Sequence, residues 1–541
     1  MSSVFLSPGV YVKEKDISDI VPTVASASAA LVGYSAKGST TDIVQVTNDQ
    51  QFIDEFGKPD PASGHYFHYA ALAYLARGNT LYCLRVVNGA LYGGVNIMAS
   101  TSSRSNAALS AGKSIAVFGV DTGYSADVLF QIIGADPGVW NNRIGVKIEN
   151  IKDGTETVVT DQYTFEIVVY YQDDDGNYSE VERWKVSRKD KVDGFGKDLY
   201  LEDKVNGVSR YIVVLDNTDI ADTVLPKTQA TRLDLESGSV GSAPSDANFI
   251  AGWDEFTNPA DIDIRILING GEIGSAVQLK MKTVAEARAD CIAVFDMPWA
   301  SVQNVTDMVT FRSTTQNFNS SYCALYGPWV QIYDSYSDKL IYVPPSGHVA
   351  AQMAYNDYVA NPWSAAAGFN RGQLDVIAPN YIFTEGERDT LYSNQINPIQ
   401  LFRGEGTVIW GNKTLQKKSS ALSSVNVRRL LIVIQKAMAI SLRSFLYEPN
   451  DETTRFRVKA LLDEYLDKLS TQGAFQREGG DEGFHVVCDT TNNTPAIIDD
   501  NQLNVDVFIK PIRAAEYIQL QSIITTTGAS FQELIARGVM F

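Results

Sequence analysis

The 541-residue sequence predicts an α/β (α+β) core, split by an inserted β-rich domain and flanked by extended N- and C-terminal arms. Three observations carry that expectation. Apolar strand candidates alternate with helix candidates over residues 23–90 and again over 258–400, the order of a partly parallel sheet with packed helices. Between them, residues 91–257 hold strand candidates bounded by connectors rich in Gly, Ser and Ala. Both chain ends hold strand candidates, and the one at Val10-Tyr11-Val12 has no partner nearby in sequence.

The elements follow in order. In residues 1–22, Pro8-Gly9 breaks any helix, and Val10-Tyr11-Val12 has strand propensity. Residues 29–33 read as a strand and 49–56 as a short helix. Residues 65–76 are a stronger helix, since Phe67, Ala71, Leu72 and Leu75 share one face. Gly78 stops it, and 80–87 is the next strand. The insertion offers strands at 144–148, 157–160, 164–171, 180–186 and 210–215. The turn Asp173-Asp174-Asp175-Gly176-Asn177 joins two of them in a hairpin. An insertion of this kind is tolerated where the entry and exit of the host chain lie close together.

Alternation then resumes, with strands at 262–269, 292–295 and 321–326, a helix ending at 284–290 and another at 302–313. Residues 401–515 form a C-terminal domain with helices at 425–445 and 455–469. The break Glu448-Pro449-Asn450-Asp451 separates them, and Asp451 or Thr453 can cap the second. Leu503, Val505, Val507 and Ile509 alternate with Asn504, Asp506, Phe508 and Lys510, a two-residue strand period that Pro511 ends. Residues 516–541 form the second arm, with a strand at 516–527.

Composition excludes some classes of function. A net charge of −19 repels phosphate backbones, so direct nucleic-acid binding is not expected. The four cysteines are far apart without a Cys-x-x-Cys pair, which suits buried thiols in a reducing compartment. The first residues lack the basic and apolar regions of a signal peptide, and no apolar run of eighteen appears. Synthesis and assembly in cytoplasm, without membrane insertion, are the expectation.

Each chemical motif has a bland alternative. Gly112-Lys113-Ser114 is half a phosphate loop, but Ala107 stands where the first glycine belongs. Residues 171–182 place Asp173, Asp175, Gly176 and Glu182 as a calcium loop would, yet Tyr171 holds the first ligand position and strands flank the loop. His65 and His68 could share a metal, but no Glu or Cys joins them at ligand spacing, so they read as packing residues. Ser346 and His348 lack a Gly-x-Ser-x-Gly elbow. No catalytic, cofactor or metal residue is assigned.

One stretch is far more specific. Residues 322–372 contain Gly327-Pro328-Trp329, then Val343-Pro344-Pro345-Ser346-Gly347-His348, then Pro362-Trp363, Ala367-Gly368 and Asn370-Arg371-Gly372. This resembles the signature of contractile-tail sheath proteins. Similar family patterns occur at Arg85-Val86, Pro137-Gly138-Val139-Trp140-Asn141-Asn142, Trp410-Gly411-Asn412-Lys413-Thr414-Leu415, Asn426-Val427-Arg428-Arg429-Leu430, 445–450 and 511–518. The likeness is good over residues 1–90 and about 260–541, and weak over the insertion.

The resemblance implies a lattice subunit and no enzyme. Subunits would form a helical sheath of stacked hexameric rings around an inner tail tube protein, bounded by baseplate and tail terminator proteins. The particle would be a virion tail assembled in bacterial cytoplasm. Each subunit would donate arms to its neighbours: Gly9, Val10, Tyr11, Val12 and Lys13 as one strand, and Tyr517, Ile518, Gln519, Leu520 and Gln521 as the other. Leu503, Val505, Val507 and Ile509 would form the receiving strand. Arg429, Lys436 and Arg443 lie seven residues apart on one helix, with Arg428 beside them. By resemblance this ridge faces the tube; as a bare pattern it is a solvated basic face. A static baseplate or shell protein and a nucleotide-driven motor are the rival classes.

Overall fold

The computed structural model describes residues 27–109, 127–229, 231–272, 274–479 and 481–516. The strand candidates Gly9, Val10, Tyr11, Val12 and Lys13, the segment Gly112-Lys113-Ser114, and the arm from Tyr517 onward lie outside the described residues.

The chain begins with β1 (Ser28–Gly33), buried at every position, followed by β2 (Val44–Val46). Helix α1 (Asp49–Phe56) starts where the Asn48 side chain accepts a hydrogen bond from Gln51 N at 2.8 Å. Helix α2 (Phe67–Leu75) and β3 (Thr80–Arg85) complete the first part of the core. Residue 65 was expected inside α2 but precedes it.

The insertion contains β4 (Gly94–Met98), β5 (Ala107–Ala108), β6 (Val128–Gly134), β7 (Ile144–Glu149), β8 (Thr164–Gln172) and β9 (Tyr178–Ser187). Helix α3 (Leu201–Val205), β10 (Ile212–Asp216) and β11 (Leu233–Asp234) follow. They make two four-stranded sheets, β10-β6-β4-β5 and β11-β7-β8-β9. Their inner faces share one core, in which Phe130 stacks on Phe165 at 5.5 Å. The strand expected at 157–160 is a loop with a 3-10 turn at Val159–Asp161, and Val159 is exposed. Its β-branched residues had no partner strand to pack on.

The core then resumes with α4 (Asp246–Asp254), β12 (Ile266–Ile268), α5 (Ser275–Arg288), β13 (Ile292–Phe295), α6 (Val305–Thr310) and β14 (Cys323–Gly327). A small sheet comes from β15 (Val330–Asp334) and β16 (Lys339–Val343), followed by α7 (Ser346–Val359) and by β17 (Ala378–Pro379), which pairs with β15. Helix α8 (Glu385–Ser393), β18 (Ile396–Phe402) and β19 (Gly406–Ile409) close the core. The main sheet runs β19-β18-β14-β13-β12-β1-β3-β2, and its six inner strands are parallel. Alternate residues of β1 serve opposite layers. Ala29 and Leu31 meet α2 and α7, whereas Ala30 and Val32 meet α4 and α5. A strand covered on both faces has to be apolar throughout, which explains the unbroken run at 29–32. Because α4 packs on this sheet, residues 246–254 belong to the core, and the insertion closes earlier than residue 257.

The C-terminal domain has α9 (Val425–Leu442), α10 (Glu452–Thr471), β20 (Phe484–Val487), α11 (Pro495–Asp499) and β21 (Asp506–Ile509). Asp451 caps α10 by accepting from Thr454 N at 2.7 Å. Helix α9 belongs to two cores at once. Its Val425 and Ile432 pack with the main sheet, and its Leu430 and Ile434 pack with α10 and Trp363.

Candidate functional site

The groups that could have carried chemistry are spent on structure. Ser346 opens α7 and donates from Oγ to the Asp296 carboxylate at 2.5 Å; Ser346 N and Gly271 N donate to the same carboxylate at 2.8 and 3.1 Å. Burial pushes Asp296 up to about 7 against the pull of these donors. His348 points into the interior, where burial lowers it to about 4. His68 is buried with Nε2 3.2 Å from Phe56 O, and His65 Nδ1 lies 2.8 Å from Glu272. In the calcium-like loop Asp173 accepts from Asn177 N, Asp174 meets Lys58 and Arg143, and Glu182 accepts from Ser209. These carboxylates do not converge. Among the described residues no group of three or more His, Cys, Asp or Glu could hold a metal ion. Nor is any described helix long and apolar enough to cross a membrane.

A different feature of the C-terminal domain stands open. Strand β21 pairs with β20 in a two-stranded antiparallel sheet. In such a pair, alternate residues turn their main-chain groups towards the partner and away from it. Lys510 N donates to Gly483 O at 2.7 Å, and Asn504 exchanges both of its bonds with the Asn493 side chain. Residues 504, 506, 508 and 510 therefore face inward. Val505, Val507 and Ile509 turn their N–H and C=O groups to the outer edge, where no other described strand lies. Their side chains and that of Leu503 are half-buried on the α9–α10 core, so the expected alternation holds. The strand itself starts only at Asp506, because Asn493 takes the main chain of Asn504.

The basic ridge needs correcting. Arg428 is buried, bonded to Ser321 Oγ at 2.5 Å and stacked 4.2 Å from the Tyr322 ring centroid. Arg429 makes an ion pair with Asp357 of α7 in which both side chains are buried. Lys436 Nζ sits 2.8 Å from Asp263 and 2.7 Å from Asp290, and Asp290 also receives Arg288 at 2.9 Å. Three members of the predicted tube-facing set thus clamp α9 to the core, while Arg443 is exposed beyond the helix end. Spacing put the bases on one face correctly. It could not show that the core supplies carboxylates to that face.

At the opposite end of the core, residues 137–142 close the joint with the insertion. Arg85 donates to the carbonyls of Ser35, Ala36, Gly38 and Pro137 at 2.7–3.2 Å. Burial lowers its guanidinium to about 10. Asn141 accepts from Gly93 N at 2.9 Å, where the chain enters the insertion, and Asn142 accepts from Gly238 N at 2.9 Å, where it leaves. Leu91 and Ser239 exchange both backbone hydrogen bonds across this entrance. Gly138 is required here, since a Cβ would lie 2.6 Å from Ala36 O.

A parallel-sheet core with a β-sandwich inserted after its third strand, and a helical domain clamped on the far side, is the fold of contractile-injection sheath subunits. The crystal structure of the sheath tail protein Lin1278 from Listeria innocua superimposes with a TM-score of 0.56 at 11% identity, covering 87% of this chain and 90% of that one. The sheath complex of the extracellular contractile injection system PVC, in its contracted state, gives 0.53 at 16% identity, covering 96% and 98%. The model of the phage tail sheath protein central domain matches residues 243–415, and that of the phage tail sheath C-terminal domain matches 417–525. The tail sheath protein of Enterobacteria phage T4 is 26% identical over 98% of this chain and 99% of its own length. The tail sheath protein of Vibrio phage KVP40 is 32% identical, over 57% of this chain and about half (49%) of its own length. This chain belongs to the contractile phage tail sheath family, a family of structural sheath subunits.

Proposed function

We propose that this chain polymerises into a helical tube of stacked hexameric rings around an inner tail tube. The tube then contracts from an extended, metastable lattice and drives the inner tube through a target envelope. The observation that carries this reading is the match to a tail sheath protein along nearly the whole of both chains. Energy comes from new subunit contacts, so the transition consumes no nucleotide. Two clamped joints suit a subunit that moves as one rigid body between two lattices.

The open edge of β21 supports strand exchange between subunits. Unpaired main-chain groups at a sheet edge are a template for another strand. Residues 9–13 and 517–521 of neighbouring subunits are the strands offered to it. Baseplate and terminator proteins bound the tube, and Arg443 is the member of that basic ridge exposed to an acidic inner tube. Assembly takes place in the cytoplasm of the bacterial host, and the product is a virion tail.

Electron microscopy of the purified, concentrated chain tests the reading. Tubes or rings are expected without nucleotide or metal. A chain that stays monomeric at high concentration across several salts would refute it.

A further inference from the structure

The described chain ends in a groove. After β21 it runs back from the C-terminal domain to the core, where Ala514, Ala515 and Glu516 line a cavity of about 400 Å³. Ala367, Gly368 and Pro398 line its floor beside the rings of Trp410 and Tyr392, and Glu385, Arg388 and Asp389 form a charged rim. Glu516 is tied there by an ion pair with Lys413 at 3.1 Å, and Lys413 in turn sits 4.8 Å from the Tyr392 ring centroid. Trp410 is 37% exposed. It packs with Phe369 (5.0 Å) and Phe402 (4.7 Å) in a cluster of three rings, of which Phe369 is also exposed at 41%. Such an exposed aromatic cluster is costly in water unless something covers it.

The length and composition of the remaining chain name the occupant. Twenty-five residues follow Glu516, and they open with Tyr517 and Ile518. Successive Cα atoms lie about 3.8 Å apart, so Tyr517 begins within one residue of the cavity. We propose that Tyr517 of the same chain docks in this groove against Trp410, making residues 516–517 the fixed point from which the C-terminal segment departs. The inference rests on the reading of that segment as an arm, and adds where its own subunit holds it: the Tyr517 side chain takes the groove, and the strand offered to a neighbour runs on from Ile518. An arm counted from Glu516 starts beside the core, at α8 and β18, and not at the end of β21. Its reach to a neighbour is set from that point.

The test uses the full-length chain, diluted until monomeric. Chymotrypsin cleavage after Tyr517, read by mass spectrometry as release of residues 518–541, should be slow in the wild type. It should be roughly tenfold faster in Trp410→Ala, because cleavage follows the population of the undocked state. Hydrogen exchange supplies a second variant with no risk to the core. In Tyr517→Ala the amides of 365–368 and 410–412 should exchange faster than in the wild type. Equal cleavage of wild type and Trp410→Ala, with exchange unchanged in Tyr517→Ala, overturns the anchor. Protection that appears only as concentration rises also overturns it, since the occupant would then be the segment of a neighbour. Tube formation by electron microscopy reports separately on the sheath reading, so failure of one does not imply failure of the other.

Discussion

The joint between the insertion and the core is closed by hydrogen bonds to main-chain groups, whereas the joint between the core and the C-terminal domain is closed by charge pairs. At the first, Arg85, Asn141 and Asn142 find carbonyls and amides of Ser35, Pro137, Gly93 and Gly238. At the second, Arg429 meets Asp357, and Lys436 lies between Asp263 and Asp290. Both joints bury cations, but only the second depends on a carboxylate being charged. Backbone-directed bonds fix the path of the chain. A buried charge pair fixes which helix face can dock, because a wrong face would bury an uncompensated charge.

The largest effect that would break this contrast is at Arg429. Arg429→Met removes the cation from a buried carboxylate and should destabilise the subunit by about 3–5 kcal/mol in urea unfolding. Arg429→Met combined with Asp357→Leu should recover most of that loss, since replacing a buried pair by apolar groups is close to neutral. A double variant as unstable as the single one would show that the pair does not behave as a charge clamp.

At the other joint, Asn141→Ala deprives Gly93 N and Asp136 O of their partner. A cost of about 1–3 kcal/mol is expected, with little change between low and high salt. Hydrogen exchange at Gly93 should quicken while the sandwich strands stay protected. A strong salt dependence would erase the distinction drawn between the joints.

Asp136 sharpens the comparison through pH. Burial raises its carboxyl to about 6, although the nearby Arg85 pulls it down. In the unfolded chain an aspartate titrates near about 3.9. Between these values the folded state binds more protons, so stability from this group is full below about 4 and falls as pH rises through about 6. Asp136→Asn should remove that falling component. His68, lowered to about 4 by burial, contributes the opposite slope, with stability rising from about pH 4 to the unfolded value near 6.5. Urea midpoints of Asp136→Asn and His68→Gln between pH 4 and 7 should therefore diverge in opposite directions from wild type.

The smallest effect is expected at Lys58. Its ion pair with Asp174 crosses from the core to the insertion hairpin at 2.5 Å, but both side chains are more than half exposed. Lys58→Ala should leave the urea midpoint unchanged, as exposed pairs contribute little. A measurable loss would mean that surface charge also holds the first joint.

Much of the fold was legible where local chemistry decides it. The helix at 49–56 matches α1 to the residue, because Asn48 and Gly57 punctuate it locally. The hairpin around Asp173-Asp174-Asp175-Gly176-Asn177 and the strand at 292–295 follow from turn residues and a short apolar run. Strands β4 and β6 escaped the sequence reading. Gly94 and the surrounding glycines resemble a connector, and β6 is apolar on both faces, so no alternation marks it. No Glu stands at ligand spacing from His65 in the sequence, yet Glu272, 207 residues away, reaches it.

The sequence alone determined the family, through motifs such as Pro344-Pro345-Ser346-Gly347 and Asn426-Val427-Arg428-Arg429-Leu430, and it determined which residues share a helix or strand face. Those properties depend on residues within a few turns of each other. Only the tertiary structure decided what each face meets. Arg429 finds its carboxylate 72 residues away, and Lys436 finds its two at 173 and 146 residues. The same row of bases would be a solvated ridge on an isolated helix. It becomes a clamp because packing of α9 across two cores brings Asp357, Asp263 and Asp290 to it, and removal from water makes each charge depend on its partner.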